Sequence, residues 1–133
     1  MKVVIDTNVF LSAIFFGGLT YRILSAWRDS RLTLVYSLEI LDEYRRTGAR
    51  LARRFEGLDL DPFLALVVTE GERFASPALD RAVCEDPEDD KFFAFAIASV
   101  CKVIVSGDKH LLRATGYHGI EVLKARPFVE SYL

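Results

Sequence analysis

Apolar residues along the chain form short β-branched runs that are separated by longer stretches with helical spacing. The short runs are rich in valine and isoleucine, which is typical of buried strands. They cover residues 1–5, 32–36, 103–105 and 120–123. Because strands that alternate with helices favour a parallel sheet, the pattern predicts a three-layer α/β/α sandwich. Its central, mainly parallel sheet is expected to have four or five strands.

Residues that favour helix ends bound the helical stretches. Thr20 is the predicted N-cap of a helix over residues 21–29, and Ser37 is the predicted N-cap of the next helix. That helix is expected to end near Thr47, because Gly48 follows. Leu38, Ile40, Leu41 and Tyr44 are expected to form its buried side. Further helices are predicted for residues 9–16, from Pro62, from Pro87, up to Leu112, and from Arg126 or Pro127.

Length and composition indicate one domain over residues 1–133. The 17 basic and 19 acidic residues give a net charge of -2, so only local clustering of charge can indicate a nucleic-acid partner. Cys84 and Cys101 lack CxxC spacing and are expected to be buried, reduced thiols. No signal peptide precedes the first strand, and no apolar run is long enough for a membrane span, which predicts a cytoplasmic protein without membrane contact.

Two of the predicted strands end in a carboxylate. Asp6 follows the first strand, and Asp108 follows the third through Ser106 and Gly107. In a parallel sheet both carboxylates emerge at the same edge, where ligands of open α/β sheets usually bind. The alternative for Asp6 is a purely structural role as the cap of the next helix.

Other acidic residues lie on two of the predicted helices. Asp90 falls on the apolar stripe of its helix, where an unpaired charge is costly, so a functional role is favoured. Asp86 and Asp89 have an alternative role as helix-capping residues. On the helix after Ser37, Glu43 lies nearest the buried side, whereas the other two acids, Glu39 and Asp42, are expected to face water. His110 and His118 have no partner at metal-ligand spacing and are expected at the surface.

Several carboxylates that converge without matching ammonium groups favour a hard divalent cation. Lys91 and Lys109 lie nearby in the sequence, but two ammonium groups would not balance four carboxylates. Mg²⁺ and Mn²⁺ take oxygen ligands and need few protein carboxylates each. Such ions activate water and stabilise the leaving oxygen in phosphodiester cleavage.

Four sequence blocks together resemble the PIN-domain family, and within it the toxin components of toxin–antitoxin pairs (VapC-like). They are residues 4–10 (VIDTNVF), 37–44 (SLEILDEY), 86–96 (DPEDDKFFAFA) and 103–112 (VIVSGDKHLL). The resemblance implies a single-strand-preferring ribonuclease that uses Mg²⁺ or Mn²⁺. It also implies that the metal-binding and catalytic acids are Asp6, Glu43, Asp90 and Asp108, with Asn8 and Ser106 as polar helpers.

The resemblance also implies partners. The family often forms homodimers, and its toxins are silenced by a small antitoxin, so both are expectations for this chain. An arginine cluster beside Glu43 could guide a single-stranded RNA backbone through phosphate contacts, or could simply be a solvated helix face. It consists of Arg45, Arg46, Arg50, Arg53 and Arg54.

Three alternatives to a metal-dependent ribonuclease are weighed. A haloacid-dehalogenase-type phosphatase needs a second Asp two residues after the first, and this chain has Asn8 there. A receiver-like signalling domain needs paired acids after the first strand, and only Asp6 is present. A non-catalytic PIN module that binds RNA or a protein partner stays open, because the sequence alone does not exclude it.

Overall fold

The central sheet contains five strands, and every pair of neighbouring strands is parallel. They are β1 (Lys2–Ile5), β2 (Thr33–Tyr36), β3 (Glu72–Arg73), β4 (Val103–Val105) and β5 (Glu121–Leu123), in the spatial order β3-β2-β1-β4-β5. The computed structural model describes residues 1–55, 57–75 and 87–133, and for residues 87–90 it describes the backbone alone. The predicted fold class is confirmed, with a parallel sheet between layers of helices.

Seven helices and one 3₁₀ turn are present in the described residues. The helices are α1 (Thr7–Phe15), α2 (Gly18–Arg28), α3 (Leu38–Ala52), α4 (Asp61–Glu70), α5 (Pro87–Ala98), α6 (Lys109–Arg113) and α7 (Ala125–Tyr132), and the 3₁₀ turn is Tyr117–Gly119. Helix α1 packs on α2 and α3, α2 contacts α7, and α3 contacts α4. Among the described residues, no single helix is long and apolar enough to cross a membrane; α1 and α2 together pass that test only across a 99° bend.

The strand order creates a switch point between β1 and β4. The chain moves outward from β1 to β2 and β3 and then returns to pair β4 with the other side of β1. Ile5 pairs with Val105 in register, and the backbone N–H of Asp6 donates to the carbonyl of Val105 at 2.9 Å. The residues that follow β1 and β4 therefore emerge side by side, at the position where ligands of such sheets bind.

Strand β3 was not predicted from the sequence. It contains only Glu72 and Arg73, both exposed, so it has none of the apolar signature on which the prediction of strands rests. Its pairing with β2 is made by the backbone, with Val35 opposite Glu72 and Tyr36 opposite Arg73.

Helix α3 begins as predicted but continues beyond the predicted end. The Ser37 hydroxyl accepts from the backbone N–H of Ile40 at 3.1 Å, which confirms the N-cap. The prediction that the helix stops before Gly48 is wrong, because Gly48 serves packing rather than helix termination. A Cβ at Gly48 would lie 2.3 Å from Leu60 Cδ2 and 3.2 Å from Leu11 Cδ2. The absent side chain therefore lets these two leucines approach the helix.

Two smaller predictions about helices α2 and α3 are also wrong. Leu38 was expected on the buried side of α3, but it is 61% exposed because it lies in the first turn, beyond the covering elements. Thr20 is not the N-cap of α2, which begins at Gly18; its hydroxyl instead donates to the carbonyl of Gly17 at 3.0 Å. Gly17 and Gly18 both have positive φ, a conformation that glycine adopts at little cost and that produces the turn between α1 and α2.

The core places a tyrosine next to the switch point. Tyr44 is fully buried, its ring stacks on that of Phe10 with centroids 4.2 Å apart, and its hydroxyl donates to the carbonyl of Ile5. This contact joins α3 to the last residue of β1 and so fixes the position of Glu43 relative to Asp6. Cys101 is buried as predicted, and burial raises the pKa of its thiol, whereas Cys84 lies outside the described residues.

We expect Tyr44→Phe to lower the free energy of unfolding by about 1 kcal/mol, because the Ile5 carbonyl loses its buried donor. Urea unfolding followed by circular dichroism measures the change. The matched control is Tyr21→Phe, which removes a hydroxyl that is hydrogen-bonded only at the surface and should change stability by less than about 0.5 kcal/mol. Equal effects of the two substitutions would contradict the role given to Tyr44.

Candidate active site

Asp6 lies at the centre of the candidate site. It directly follows β1, its backbone adopts the extended conformation of a helix N-cap, and the residue is only 6% exposed. Its carboxylate Oδ2 accepts a hydrogen bond from the Ser106 hydroxyl at 2.6 Å. Asp6 occupies the N-cap position of α1, but its side chain does not make the usual capping hydrogen bond to the second or third helical residue. The carboxylate instead points towards the residues that follow β4.

The environment of Asp6 disfavours its negative charge. Burial raises the pKa of the Asp6 carboxyl, and the hydrogen bonds from Ser106 and the Thr7 backbone partly oppose this shift. The charges of Glu43 and Asp108 raise the same pKa further. Asp6 forms no ion pair with a cation within the part of the chain that the structure describes. A positive charge beside Asp6 would therefore favour its ionised form.

Asp108 reaches the same place through the turn after β4. The Ser106 hydroxyl that donates to Asp6 also accepts from the Asp108 backbone N–H at 3.0 Å. One Asp108 oxygen, Oδ1, caps α6 by accepting from the backbone N–H groups of His110 at 2.7 Å and Leu111 at 3.3 Å. Asp108 is thus both a helix cap and the second carboxylate near Asp6. Ser106 is buried and connects the two acids.

Glu43 is the third carboxylate, and it comes from α3. Its Oε2 accepts a hydrogen bond from the hydroxyl of Thr7, the residue after Asp6. Its Oε1 pairs with the Lys91 ammonium at 2.6 Å, and both side chains are largely buried. The ion pair anchors Glu43 to α5, so three separate helices and two strand ends are held together at this point.

The neighbouring acids of α3 face elsewhere, as predicted. Glu39 is exposed, and Asp42 forms ion pairs with Arg45 and with Arg46, the latter at 2.7 Å. The hydrogen bond from Arg45, aided by that from Arg46, lowers the pKa of Asp42. Asp42 and Glu43 are adjacent in sequence but have different environments: Asp42 pairs with two arginines at the surface, whereas Glu43 is largely buried and contacts Thr7 and Lys91.

The fourth predicted acid lies where side chains are not described. Asp90 belongs to α5, but only its backbone is described, and Asp86 falls outside the described residues; the choice among Asp86, Asp89 and Asp90 therefore stays a prediction. Within the described residues, no three carboxylate, histidine or cysteine side chains form a group that could hold a metal ion. The described acids supply hard oxygen donors of the type that Mg²⁺ prefers, but they need a further ligand to complete a metal site.

The predicted polar helpers and arginines lie in different places around the site. Ser106 contacts Asp6 directly, whereas Asn8 is exposed in the first turn of α1 and lines a neighbouring groove with Arg50 and Arg54. Arg45 and Arg46 are bound to Asp42, and Arg53 is exposed at the end of α3. The five arginines therefore do not form one continuous surface.

Sequence reasoning missed two residues of the site. Thr7 was not singled out, although a small hydroxyl residue directly after a strand-end Asp is well placed to contact a neighbouring acid. Lys91 was noted only as insufficient to balance the acids, yet it is the cation that fixes Glu43. His118 is exposed as expected, and His110 is half-buried with Nδ1 at 3.6 Å from Asp108 Oδ1.

Comparison with known protein families supports the resemblance seen in the sequence. The profile of a family described as PIN domain matches residues 2–110, a span that includes β1, α3, β4 and the three described carboxylates. No curated protein matches the chain.

We expect Asp6→Asn to raise the free energy of unfolding at neutral pH in metal-free buffer. Because the pKa of Asp6 is raised, the folded state binds this proton more tightly than the unfolded chain, and ionisation costs stability as pH rises through the folded-state pKa. The gain should therefore vanish below the unfolded pKa near 3.8. Urea unfolding of the wild type and the variant, at neutral pH and below pH 3.8, measures the difference in the free energy of unfolding.

Asp42→Asn is the control with the opposite sign. The pKa of Asp42 is lowered, so its carboxylate stabilises the folded state above the unfolded pKa, and that contribution is lost as pH falls. The substitution should therefore reduce stability slightly at neutral pH. If Asp6→Asn is destabilising at neutral pH as well, the electrostatic description of the site is wrong.

Proposed function

The chain belongs to the PIN domain family, whose members are generally nucleases, and we propose that it is a divalent-metal-dependent endoribonuclease that hydrolyses single-stranded RNA. The observation that carries this proposal is that hydrogen bonds through Ser106 and Thr7 hold Asp108 and Glu43 near Asp6, beside the switch point of the sheet. These residues are far apart in the sequence, and no cation among the described residues is paired with Asp6.

The donor set supports Mg²⁺ or Mn²⁺ as the cofactor. Carboxylate oxygens are the ligands that these ions take, and the raised pKa of Asp6 indicates a site that gains from a positive charge. We propose Asp6, Glu43, Asp90 and Asp108 as the ligands, with Asp90 completing the set that the described residues leave open. When bound, such an ion polarises the phosphate and lowers the pKa of water.

The residues of this chain would position the carboxylates for hydrolysis. Ser106 holds one oxygen of Asp6 and leaves the other available to orient a water molecule towards the scissile phosphorus. Attack by that water would form a new phosphorus–oxygen bond and break the bond between the phosphorus and a ribose oxygen. The water gives up a proton in this step, and the ribose oxygen takes one up and leaves as a hydroxyl. Thr7 and Lys91 fix the Glu43 side chain, so its carboxylate stays near Asp6 without contacting it. Catalysis of this kind depends mainly on positioning and electrostatics.

The biological setting is a further part of the proposal. The resemblance to toxin components supports a cytoplasmic toxin with a cognate antitoxin, and homodimers are expected from the same resemblance. The exposed side chains of Leu38 and Val68 flank an apolar groove between α3 and α4, which supports a protein contact on that side.

A non-catalytic PIN module is the second candidate, and one observation favours it. Lys91 neutralises Glu43, and the described acids alone do not make a closed metal site. In such a module the acidic pocket would be a structural remnant, and RNA or protein binding would occur without cleavage. The two candidates differ in whether the carboxylates are needed for cleavage, which substitution tests directly.

We expect Asp6→Asn and Asp90→Asn each to reduce Mn²⁺-dependent cleavage of a single-stranded RNA on the order of 10³-fold or more, because each removes a charge that holds the cation. Gel analysis of a labelled RNA with Mn²⁺ or with chelator measures this. Glu39→Gln is the matched control: it removes an exposed acid one turn from Glu43 and should leave the rate within about twofold. Full activity in both aspartate variants would exclude the nuclease.

Metal binding can be measured without activity. We expect Mn²⁺ at 100 times its Kd to stabilise the wild-type protein by about 2.7 kcal/mol, seen as a rise in Tm. Asp6→Asn should lose this response, whereas Glu39→Gln should keep it. A non-catalytic module predicts no rise in Tm for any of the three proteins.

A further inference from the structure

A groove lies along the junction of α1 and α3. Its volume is about 450 Å³, and its walls are one face of each helix. The first wall is formed by Asn8 and Ser12 of α1 and by Phe16 directly after it, at spacings of four residues. The second wall is formed by Thr47 and Arg50 of α3 and by Arg54 in the turn that follows it. Asn8 directly follows Thr7, whose hydroxyl contacts Glu43, and Thr47 lies one helical turn after Glu43, so this end of the groove is the one nearer the carboxylates. Eight residues of helix extend it by about 12 Å.

The arginines of this groove, Arg50 and Arg54, differ in their ion pairs from Arg45 and Arg46 nearer the start of α3. Arg50 and Arg54 form no ion pair within the described ranges. The Arg50 guanidinium donates one long hydrogen bond, of 3.4 Å, to the Thr47 hydroxyl. Arg45 and Arg46, by contrast, are both ion-paired with Asp42. Two guanidinium groups therefore face a groove next to a strongly acidic pocket, where they match an anion rather than the protein's own acids.

An exposed aromatic ring lies at the far end of the groove. Phe16 is 64% exposed, and its ring makes a T-shaped contact with Phe55 at a centroid distance of 5.4 Å. Phe55 in turn packs on Phe15, with centroids also 5.4 Å apart. The neighbouring rings thus hold Phe16 in place while most of its surface stays available. Proteins that bind single-stranded nucleic acid commonly combine a positively charged groove with an exposed aromatic ring on which a base stacks.

We propose that this groove holds the single-stranded RNA on one side of the scissile phosphate, with backbone phosphates on Arg50 and Arg54 and a base stacked on Phe16. The assignment rests on the proposed nuclease function and adds the path of the substrate and its preference for single strands. A base paired within a duplex cannot stack on Phe16, because its faces are covered by its neighbours. The groove therefore selects unpaired RNA, and Arg45 and Arg46 do not contribute.

The test measures RNA affinity without cleavage. Asp6→Asn serves as the parent, and the probe is a fluorescein-labelled single-stranded RNA of about 12 nucleotides, followed by anisotropy at several salt concentrations. Adding Arg50→Gln or Arg54→Gln should weaken binding about tenfold and reduce the salt slope by about 0.7, one phosphate contact each. Adding Phe16→Ala should weaken binding on the order of tenfold without changing the slope, and Phe16→Trp should restore it.

Arg45→Gln in the same parent is the matched control, since it makes the same charge change on the same helix and should alter affinity less than about twofold. Circular dichroism and Tm verify that each variant is folded. Equal losses for Arg45→Gln and Arg50→Gln would overturn the proposal, because binding would then follow overall charge. Unchanged RNA affinity in all groove variants would overturn it as well, and would indicate that a protein segment occupies the groove.

The failure of this proposal is distinguishable from the failure of the nuclease. If Asp6→Asn abolishes cleavage but the groove variants bind RNA like their parent, only the substrate path is wrong. If Asp6→Asn leaves cleavage intact, the function assigned to the carboxylates is wrong whatever the groove binds.

Discussion

The buried carboxylate of Asp6 is the constraint on which the rest of the site depends. It lies at the carboxyl end of a central strand, and two further acids raise its pKa instead of a cation lowering it. Such an arrangement costs folding free energy and persists only where neighbouring structure enforces it. The parallel pairing of β1 with β4, the hydroxyl of Ser106 and the tyrosine contact to Ile5 together supply that enforcement. A bound cation would offset this unfavourable free energy by attracting the carboxylates.

Different faces of helix α3 contribute to different parts of the surface around Asp6. On the outer side of α3, Asp42 forms ion pairs with Arg45 and Arg46. On the inner side, Glu43 contacts Thr7 and Lys91. Farther along the same helix, Gly48 allows close packing against α1, and this junction carries the groove with Arg50. One helix thus provides Glu43 to the site and Arg50 to the proposed substrate path.

The sequence predicted the parts of the fold that rest on local signals. The apolar runs identify four strands, and Ser37 marks the start of α3, because strand burial and helix capping depend on nearby residues. β3 and the true end of α3 depend on tertiary contacts: Arg73 pairs through its backbone, and Gly48 is required by a leucine from another element. In the site, strand ends indicated Asp6 and Asp108, whereas the ion pair of Lys91 with Glu43 spans 48 residues and has no local signature.

The central claim is that the carboxylates at the switch point share a divalent cation. The most direct measurement is anomalous diffraction from crystals grown with Mn²⁺. The account predicts an anomalous peak within bonding distance, about 2.0–2.6 Å, of carboxylate oxygens from Asp6 and at least one of the other proposed acids. Crystals saturated with Mn²⁺ that show no peak near Asp6, or a peak only at surface acids such as Glu39, would contradict it.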